Sequence, residues 1–590
     1  MKQRASDYVA QLLVEYGINN VFTVVGGGAM HLNDALGYNS NIECIYNHHE
    51  QASAIAAESY ARVNNKMAVV CVTTGPGGTN AITGVLCAWQ DNIPLLVLSG
   101  QVRYNTTVES TGLNLRQFGE QEHYIVQTVQ SITKYAVTVK DVSHIKYHIE
   151  KAIYLANHGR RGPCWVDIPL DVQGAIIEID ELEGYVPEFE NGMPFAKERF
   201  LQTINMAKRP VILAGSAIRT ANAHQEFLRL VDELKIPVVA STSNSDLFPC
   251  SGKYYFGNFG VFGGRAGNFI VQNADCLISL GCRLSFKQTG FNFEGFAPLS
   301  KKIVVDVDIN ELKKETIKID IPICIDLKDF INEIKDMELS FDLLDLGWIK
   351  YCEELKEQFP IFQAKHAISN HVNPYYFAEE LKKFLPDDSI CVVGNSCACV
   401  SVLQSGTKEK NQRLWGNVNC GTMGYDLPAA IGAAIAAKKM IICITGDGSI
   451  QMNIQELQTI VHNRLPIKIF IFNNFGYNAI MQTHTNFFGR LTGCTQESGI
   501  SFPDFKSLAY AYQIPYYKCE TNKELGHVLN KFLENENYGI CEIIEDSNQP
   551  IEPKIMSKAL EDGRIISPPI DDLAPFLGKE LYRKYSSYAK

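Results

Sequence analysis

The sequence has no run of 18 apolar residues, no Cys-x-x-Cys pair and no dense cluster of Lys and Arg. The first absence excludes a membrane-spanning helix, and the second removes the common zinc and dithiol motifs. The third bears on partners: 54 Lys and Arg against 65 Asp and Glu leave a formal charge of −11, the wrong sign for a nucleic-acid surface. Neither nucleic acid nor membrane is expected as a partner. The start, MKQRASDYVAQLLVEYGI, passes into an amphipathic helix without a long apolar core, so a cytoplasmic, unprocessed chain is expected. The 17 cysteines are odd in number and sit mostly inside apolar runs, as Cys71 and Cys443 do, which reads as reduced core thiols.

What is present is an ordinary globular composition: 590 residues, 46% hydrophobic and 20% charged, enough for several domains. Strand-like runs alternate with helical patterns: VFTVVG, a helix from about Met30, IECIYN, a helix from about Glu50, MAVVCVTT, a helix from about Thr79, LLVLSG. That alternation predicts crossover units on a parallel sheet covered on both faces. The first block runs over 1–175. The acidic stretch IIEIDELEGYVPEFENGMP reads as a linker to a second series over 190–345, with RPVILAGSA, PVVAST, CLISLG and KIVVDVD. A third series over 365–550 carries SICVVGN, MIICITGDG, IKIFIFNN and ICEIIED, and 551–590 reads as a tail laid over the surface. The fold class is therefore α/β, three open doubly wound domains with mainly parallel sheets. The first and third blocks share length and rhythm.

The chemistry concentrates in ICITGDGSIQMNIQELQTIVHNRLPIKIFIFNN, residues 441–474. A buried strand delivers Asp447, Gly448 and Ser449 at its carboxyl end, a helix with apolar Ile450, Ile454, Leu457 and Val461 follows, and a second strand ends at Asn473 and Asn474. Both polar tips fall on one sheet edge, where ligands bind in such folds. Asp447, Asn474 and a turn carbonyl near Gly476 supply three hard oxygens, leaving places for phosphate oxygens and water around Mg²⁺. A strand-to-helix turn with Asp447 as a cap is the plain alternative.

GDG, a spacer of this length and NN resemble the fingerprint of the thiamine diphosphate enzymes. The segments NHHEQASAIAAESYAR, VTTGPGGTNAITGV, GTMGYDLPAAIGAAIA and GDGSIQMNIQEL are similar to the acetolactate synthase branch, over nearly the whole chain. The resemblance implies a pyrimidine-binding first domain, a middle nucleotide-fold domain and a diphosphate-binding third domain. It implies that Glu50 is catalytic, its carboxylate bonding the pyrimidine ring of the coenzyme, and that Gln121 is a polar active-site residue. Pro76 and Asn80 match positions near the pyrimidine. Met423 matches the bulky residue under the coenzyme, and Asn395, Ser396, Gly421, Gly448 and Ser449 match positions around its diphosphate. His31 is expected to line the pocket.

The chain also departs from that branch. After NN the segment reads FGYNAIMQTHTNFF, with Thr483 and His484, after Gln482, where the branch carries Trp and Glu. A threonine in place of an indole opens space and adds a hydroxyl, so a more polar acceptor such as a keto sugar enters consideration. In the middle domain Gly281 and Arg283 match a flavin-site pattern, but Lys287 replaces a second arginine, and FAD binding is left open. The expected activity is decarboxylation of a 2-oxo acid, pyruvate foremost, with acyl transfer to a carbonyl acceptor. Three alternatives stand beside it: a true acetolactate synthase, a flavin-linked 2-oxo acid oxidase and a catalytically silent scaffold. The resemblance further implies a homodimer or homotetramer with active sites between chains, and the small residues Ala52, Ser53, Ala54, Ala56 and Ala57 would suit such an interface. The tail after Pro550 is expected to close over the site.

Overall fold

The computed structural model describes residues 1–188, 195–337, 339–341, 343–559 and 564–588. The expected boundary at residue 190 lies outside them. Three six-stranded parallel sheets organise the chain. The first uses Asn20–Thr23, Glu43–Tyr46, Ala68–Val72, Leu95–Gln101, Tyr135–Thr138 and Pro163–Pro169. Numbered along the chain, these lie side by side as 2-1-3-4-6-5. The third sheet, from Ile390–Val393, Arg413–Gly416, Ile441–Gly446, Ile467–Asn473, Tyr516–Cys519 and Gly539–Ile544, has the same order. The rhythm shared by the two blocks is thus a shared topology. The middle sheet, Pro210–Ala214, Val238–Ser241, Tyr255–Phe259, Cys276–Leu280, Lys301–Asp306 and Ile321–Cys324, runs 3-2-1-4-5-6, the dinucleotide-fold order.

The central strands read as unbroken apolar runs because helices cover both faces of each sheet. Ala68–Val72 and Ile467–Asn473 are buried at every position. All 17 cysteines are free of disulfides and most are buried, and burial pushes a thiol such as Cys71 up to about 12. Among the described residues no helix is long and apolar enough to cross a membrane.

The first and third domains pack against each other through two small-residue helices, Glu50–Asn64 and Asp426–Ala437. A Cβ added at Gly432 would stand 1.9 Å from the carbonyl oxygen of Ala56, and Ser59 Oγ donates to the Ala429 carbonyl at 2.6 Å. The alanine-rich face expected at a second chain is therefore filled by this chain itself, since only residues this small let two helix backbones meet. A buried ionic group closes the junction. Arg62 is held between Glu58 and Asp91, and Tyr425 donates to Glu58 at 2.7 Å.

The tail is held by buried side chains rather than laid loosely over the surface. Asn268 donates to the Ile570 carbonyl at 2.6 Å, Arg265 to the Leu573 carbonyl at 3.1 Å and Asn273 to the Tyr585 carbonyl at 3.0 Å. Tyr588 stacks on Tyr351 with ring centroids 4.3 Å apart. These buried amide and guanidinium donors draw the tail from Ile570 onward onto the middle domain, while its start stays with the third, the Glu552 N–H donating to Tyr375 at 2.8 Å and Gln404 to the Pro553 carbonyl at 3.0 Å.

Candidate active site

Glu50 opens its helix just beyond the carboxyl end of Glu43–Tyr46, with His49 as the cap accepting from the Gln51 N–H at 3.0 Å. It is buried, and Oε2 accepts from Asn80 Nδ2 at 3.0 Å. Asn80 lies in the first turns of the helix Pro76–Asp91, which begins at Gly75 with φ +63°. That φ suits glycine. A side chain there would also strike the backbone of Gln121, whose carbonyl oxygen lies 2.1 Å from the place of a Cβ. So Glu50, Pro76, Asn80 and the backbone of Gln121 come together, while the Gln121 side chain is exposed. Both loops hang on a carboxyl that sequence reasoning passed over. Asp167 accepts from Ser99 at 2.5 Å, Thr138 at 3.2 Å and Gln101 at 3.3 Å. Gln101 in turn accepts from Thr74 Oγ1 at 2.5 Å and donates to the His123 carbonyl at 3.0 Å. Burial pushes Asp167 up to about 7 against those hydrogen bonds. His31 packs on Gly174, its Nε2 3.1 Å from the place of a Cβ there, apart from the Glu50 hydrogen-bond group.

The second group lies on the carboxyl edge of the third sheet. Asp447 is 2% exposed; Oδ1 accepts from the Gly448 N–H at 2.8 Å and Oδ2 from those of Asn474 and Gly476 at 3.2 Å each. Burial pushes its carboxyl up to about 7 even against these donors. Gly476 must be glycine, since a Cβ would sit 2.3 Å from the Cys494 carbonyl. Gly448 is likewise closed in by the Tyr477 ring at 2.2 Å. At the switch between Ile390–Val393 and Ile441–Gly446, Ser449 Oγ donates to the buried Asp426 at 2.6 Å and accepts from the Gly424 N–H at 2.8 Å. Asn395 donates to the Thr422 carbonyl at 2.7 Å, which secures the loop of Gly421 and Met423. The helix expected from Ile450 through Val461 is broken into Asp447–Ile450, a 3-10 turn and Glu456–Asn463. Glu456 faces the other domain, accepting from Asn47 Nδ2 and the His48 N–H at 2.9 Å each.

This edge holds buried polar atoms with no protein partner: Ser396 Oγ, Asn474 Oδ1, Asn478 Nδ2 and Glu545 Oε1. Buried polar atoms are rarely left so, and four of them in segments that follow strands of one sheet fit a polar ligand and a cation. Among the described residues no three or more His, Cys, Asp and Glu side chains converge as a metal cage. A cation here would share its shell with a ligand, as Mg²⁺ does with phosphates.

Comparison with known proteins agrees with the geometry. Family models match in chain order: thiamine pyrophosphate enzyme, N-terminal TPP binding domain, over residues 3–127; central domain over 198–334; C-terminal TPP binding domain over 393–543. The chain is 30% identical over 568 residues to acetolactate synthase isozyme 3 large subunit of Escherichia coli (strain K12), covering 93% of this chain and 96% of that protein. The chain belongs to the thiamine pyrophosphate enzyme family. Acetolactate synthase large subunit of Lactococcus lactis subsp. lactis is 31% identical over 560 residues, 93% of this chain and 94% of that protein. The chloroplastic enzyme of Arabidopsis thaliana is 29% identical over 575 residues, 94% and 83%. In this thiamine pyrophosphate enzyme the N-terminal domain carries the Glu50 group and the C-terminal domain the Asp447 group. Hydrogen bonds within the chain join the surroundings of the two groups: Asn453 donates to Gln51 Oε1 at 3.2 Å and to the Gly424 carbonyl at 2.7 Å, beside the contacts of Glu456 with Asn47 and His48.

In the segment after Asn474, Gln482 is tied down, donating to Asn478 at 2.9 Å and to the Gln549 carbonyl at 3.3 Å. Thr483 is exposed, and His484 accepts from the Thr492 N–H at 3.3 Å. In the middle domain Gly281 and Arg283 line a cleft at the switch point of the sheet with Arg160, Arg161, Asp306 and Asp326. Arg283 also donates to the Gln90 carbonyl at 3.3 Å, and Lys287 to the Val418 carbonyl, so both bases clamp the neighbouring domains. Asp167 went unnoticed in sequence because it is a single acid inside the apolar strand Pro163–Pro169, and Glu545 because it reads as the polar end of Gly539–Ile544.

Proposed function

We propose that the protein is a thiamine diphosphate-dependent carboligase that decarboxylates a 2-oxo acid, pyruvate first among candidates, and joins the acyl fragment to a carbonyl acceptor. The observation that carries this reading is the pair of buried carboxyl groups, Glu50 and Asp447, each at the carboxyl edge of its own sheet with matched polar partners. When bound, the coenzyme supplies the electron sink for decarboxylation. The side chains of this protein do the rest. Asp447 and Asn474, with the carbonyl of Gly476, would hold Mg²⁺, and Asn395, Ser396, Gly421, Gly448 and Ser449 would surround the diphosphate. Glu50, kept in place by Asn80, would hold the proton shared with the pyrimidine, while Pro76, Gln121 and Met423 would shape the space around the reacting end. Orientation of this kind is worth several kcal/mol of barrier, about 7–11 at best.

The two groups would meet between chains, in a homodimer or homotetramer. Apolar side chains stand exposed near both: Val25, Met30, Leu113 and Phe118 in the N-terminal domain, and Phe475, Phe487 and Phe488 in the C-terminal domain. Covering them with a second copy would exclude water from the site. Mixing Glu50→Gln and Asp447→Ala subunits tests this: activity regained in the mixture supports a shared site, and none regained counts against it. The helix Asn478–Phe488, with Thr483 and His484 in place of Trp and Glu, supports a polar acceptor such as a keto sugar. Mass spectrometry of products from pyruvate with keto acids, aldehydes and keto sugars decides between that acceptor and a second pyruvate, and release of acetaldehyde alone would sink the carboligase reading.

The middle-domain cleft is a second binding position under this reading, for an adenine nucleotide such as FAD. Arg161, which lines the cleft, has a buried guanidinium nitrogen without a protein partner. A visible flavin band in the purified protein, retained in the supernatant after denaturation, tests it.

A further inference from the structure

Strand Gly539–Ile544 runs parallel to Ile467–Asn473 with Asn473 opposite Ile544, so Asn474 and Glu545 leave the sheet together at its carboxyl edge. The Glu545 N–H donates to the Asn473 carbonyl at 3.0 Å, which fixes its backbone. Its side chain is 4% exposed, and Oε2 accepts from Asn474 Nδ2 at 2.7 Å. Turning that amide over would set its oxygen against the carboxylate, so an ionised Glu545 selects the orientation in which Nδ2 donates. In that orientation Asn474 Oδ1 and Glu545 Oε1 are both buried without a protein partner, beside a carboxylate, Asp447, whose backbone donors come from the same turn.

The neighbouring acid makes the contrast. Glu542 accepts from Asn473 Nδ2 at 2.6 Å and from the Tyr516 hydroxyl, so both its oxygens are engaged in holding strands together. Glu545 has one oxygen engaged and one buried without a protein partner, at the end of the strand beside the one that carries Asn474.

We propose that Glu545 is a positioning residue of the cation centre: it fixes the Asn474 amide with its oxygen toward the site and adds a second buried carboxylate behind the cation. This rests on the reading of Asp447 and Asn474 as Mg²⁺ ligands. Partners standing behind metal ligands in this way typically govern affinity by 10–100-fold.

The test is Mg²⁺ affinity, measured calorimetrically on the full chain with thiamine diphosphate saturating, and Mn²⁺ electron paramagnetic resonance as the spectroscopic readout. Glu545→Val should weaken Mg²⁺ binding about 10–100-fold and broaden the Mn²⁺ signal. Glu545→Gln, whose side-chain oxygen can still accept from Asn474, should lose less than Glu545→Val but at least about threefold, because the charge is gone. Circular dichroism and metal-free melting confirm the fold, and if Glu545→Val does not fold, Glu545→Gln decides. Wild-type affinity in the folded variants overturns the proposal alone, whereas a wild-type chain that binds no Mg²⁺ with thiamine diphosphate overturns the reading on which it rests.

Discussion

Asn80 holds Glu50 across two helices, Nδ2 to Oε2 at 3.0 Å, and so fixes a buried carboxylate at the mouth of the first sheet. The contact is one that a glutamine could keep, by turning its amide oxygen toward Asn80. Glu50→Gln should therefore fold and bind thiamine diphosphate within a few-fold of wild type. Exchange of the coenzyme's thiazolium proton, followed by NMR after quenching, should slow about 10²–10⁴-fold, the range for loss of a positioned acid-base group. Unchanged exchange would remove Glu50 from the catalytic reading.

Asp447 separates retention of the cofactor from stability. Its carboxyl is buried and pushed up to about 7, so in the absence of a cation the ionised form is unfavourable. Asp447→Asn should leave the metal-free melting temperature unchanged or raised. Mg²⁺-dependent retention of thiamine diphosphate in equilibrium dialysis should fall by more than about 100-fold, beyond the cost of losing an outer partner. Retention at the wild-type level would show that Asp447 is only a cap.

Gly432 lies against Ala56 where the N- and C-terminal domains pack together. A methyl group there would overlap the carbonyl oxygen of Ala56, 1.9 Å from the added atom, and neither backbone can yield without opening the helix pair. Gly432→Ala should destabilise the protein by about 1–3 kcal/mol or more, read from urea unfolding. Gly27→Ala meets nothing within 4 Å and serves as the control.

Asp167 introduces a pH dependence whose sign is fixed. Burial raises its carboxyl from 3.8 to about 7, so the folded chain keeps a proton that the unfolded chain releases. The resulting stabilisation is complete below pH 3.8 and is lost as pH rises through 7. Asp167→Asn carries no such proton. Between those limits wild-type stability minus that of Asp167→Asn should fall with rising pH, by an amount on the order of 4 kcal/mol at most. Urea unfolding across the range measures it, and a difference that is flat or rises contradicts the assignment.

Much of this molecule was legible in its order of residues. Unbroken apolar runs such as AVVCV and IKIFIF betray strands buried on both faces, and turns rich in glycine mark where such strands end. GDG and NN could be paired at a distance because the carboxyl ends of parallel neighbours must share an edge. Local pattern also misled, as in the helix after Ser449, which breaks where Glu456 turns to meet Asn47 and His48 of another domain.

The order of residues by itself determined three parallel sheets and set Asp447 and Asn474 on one sheet edge, because apolar runs and glycine turns act over a few residues, whereas Glu50 stands out only through the resemblance to the thiamine diphosphate enzymes. Tertiary structure alone decided that the alanine face of Glu50–Asn64 would be filled by Gly432, that the tail from Ile570 onward would lie on the middle domain, and that Asn474 would meet Glu545, 71 positions away. Those outcomes depend on close approach between segments remote in the chain, where the shape of one backbone sets what the other can place beside it, and no local pattern encodes that distance.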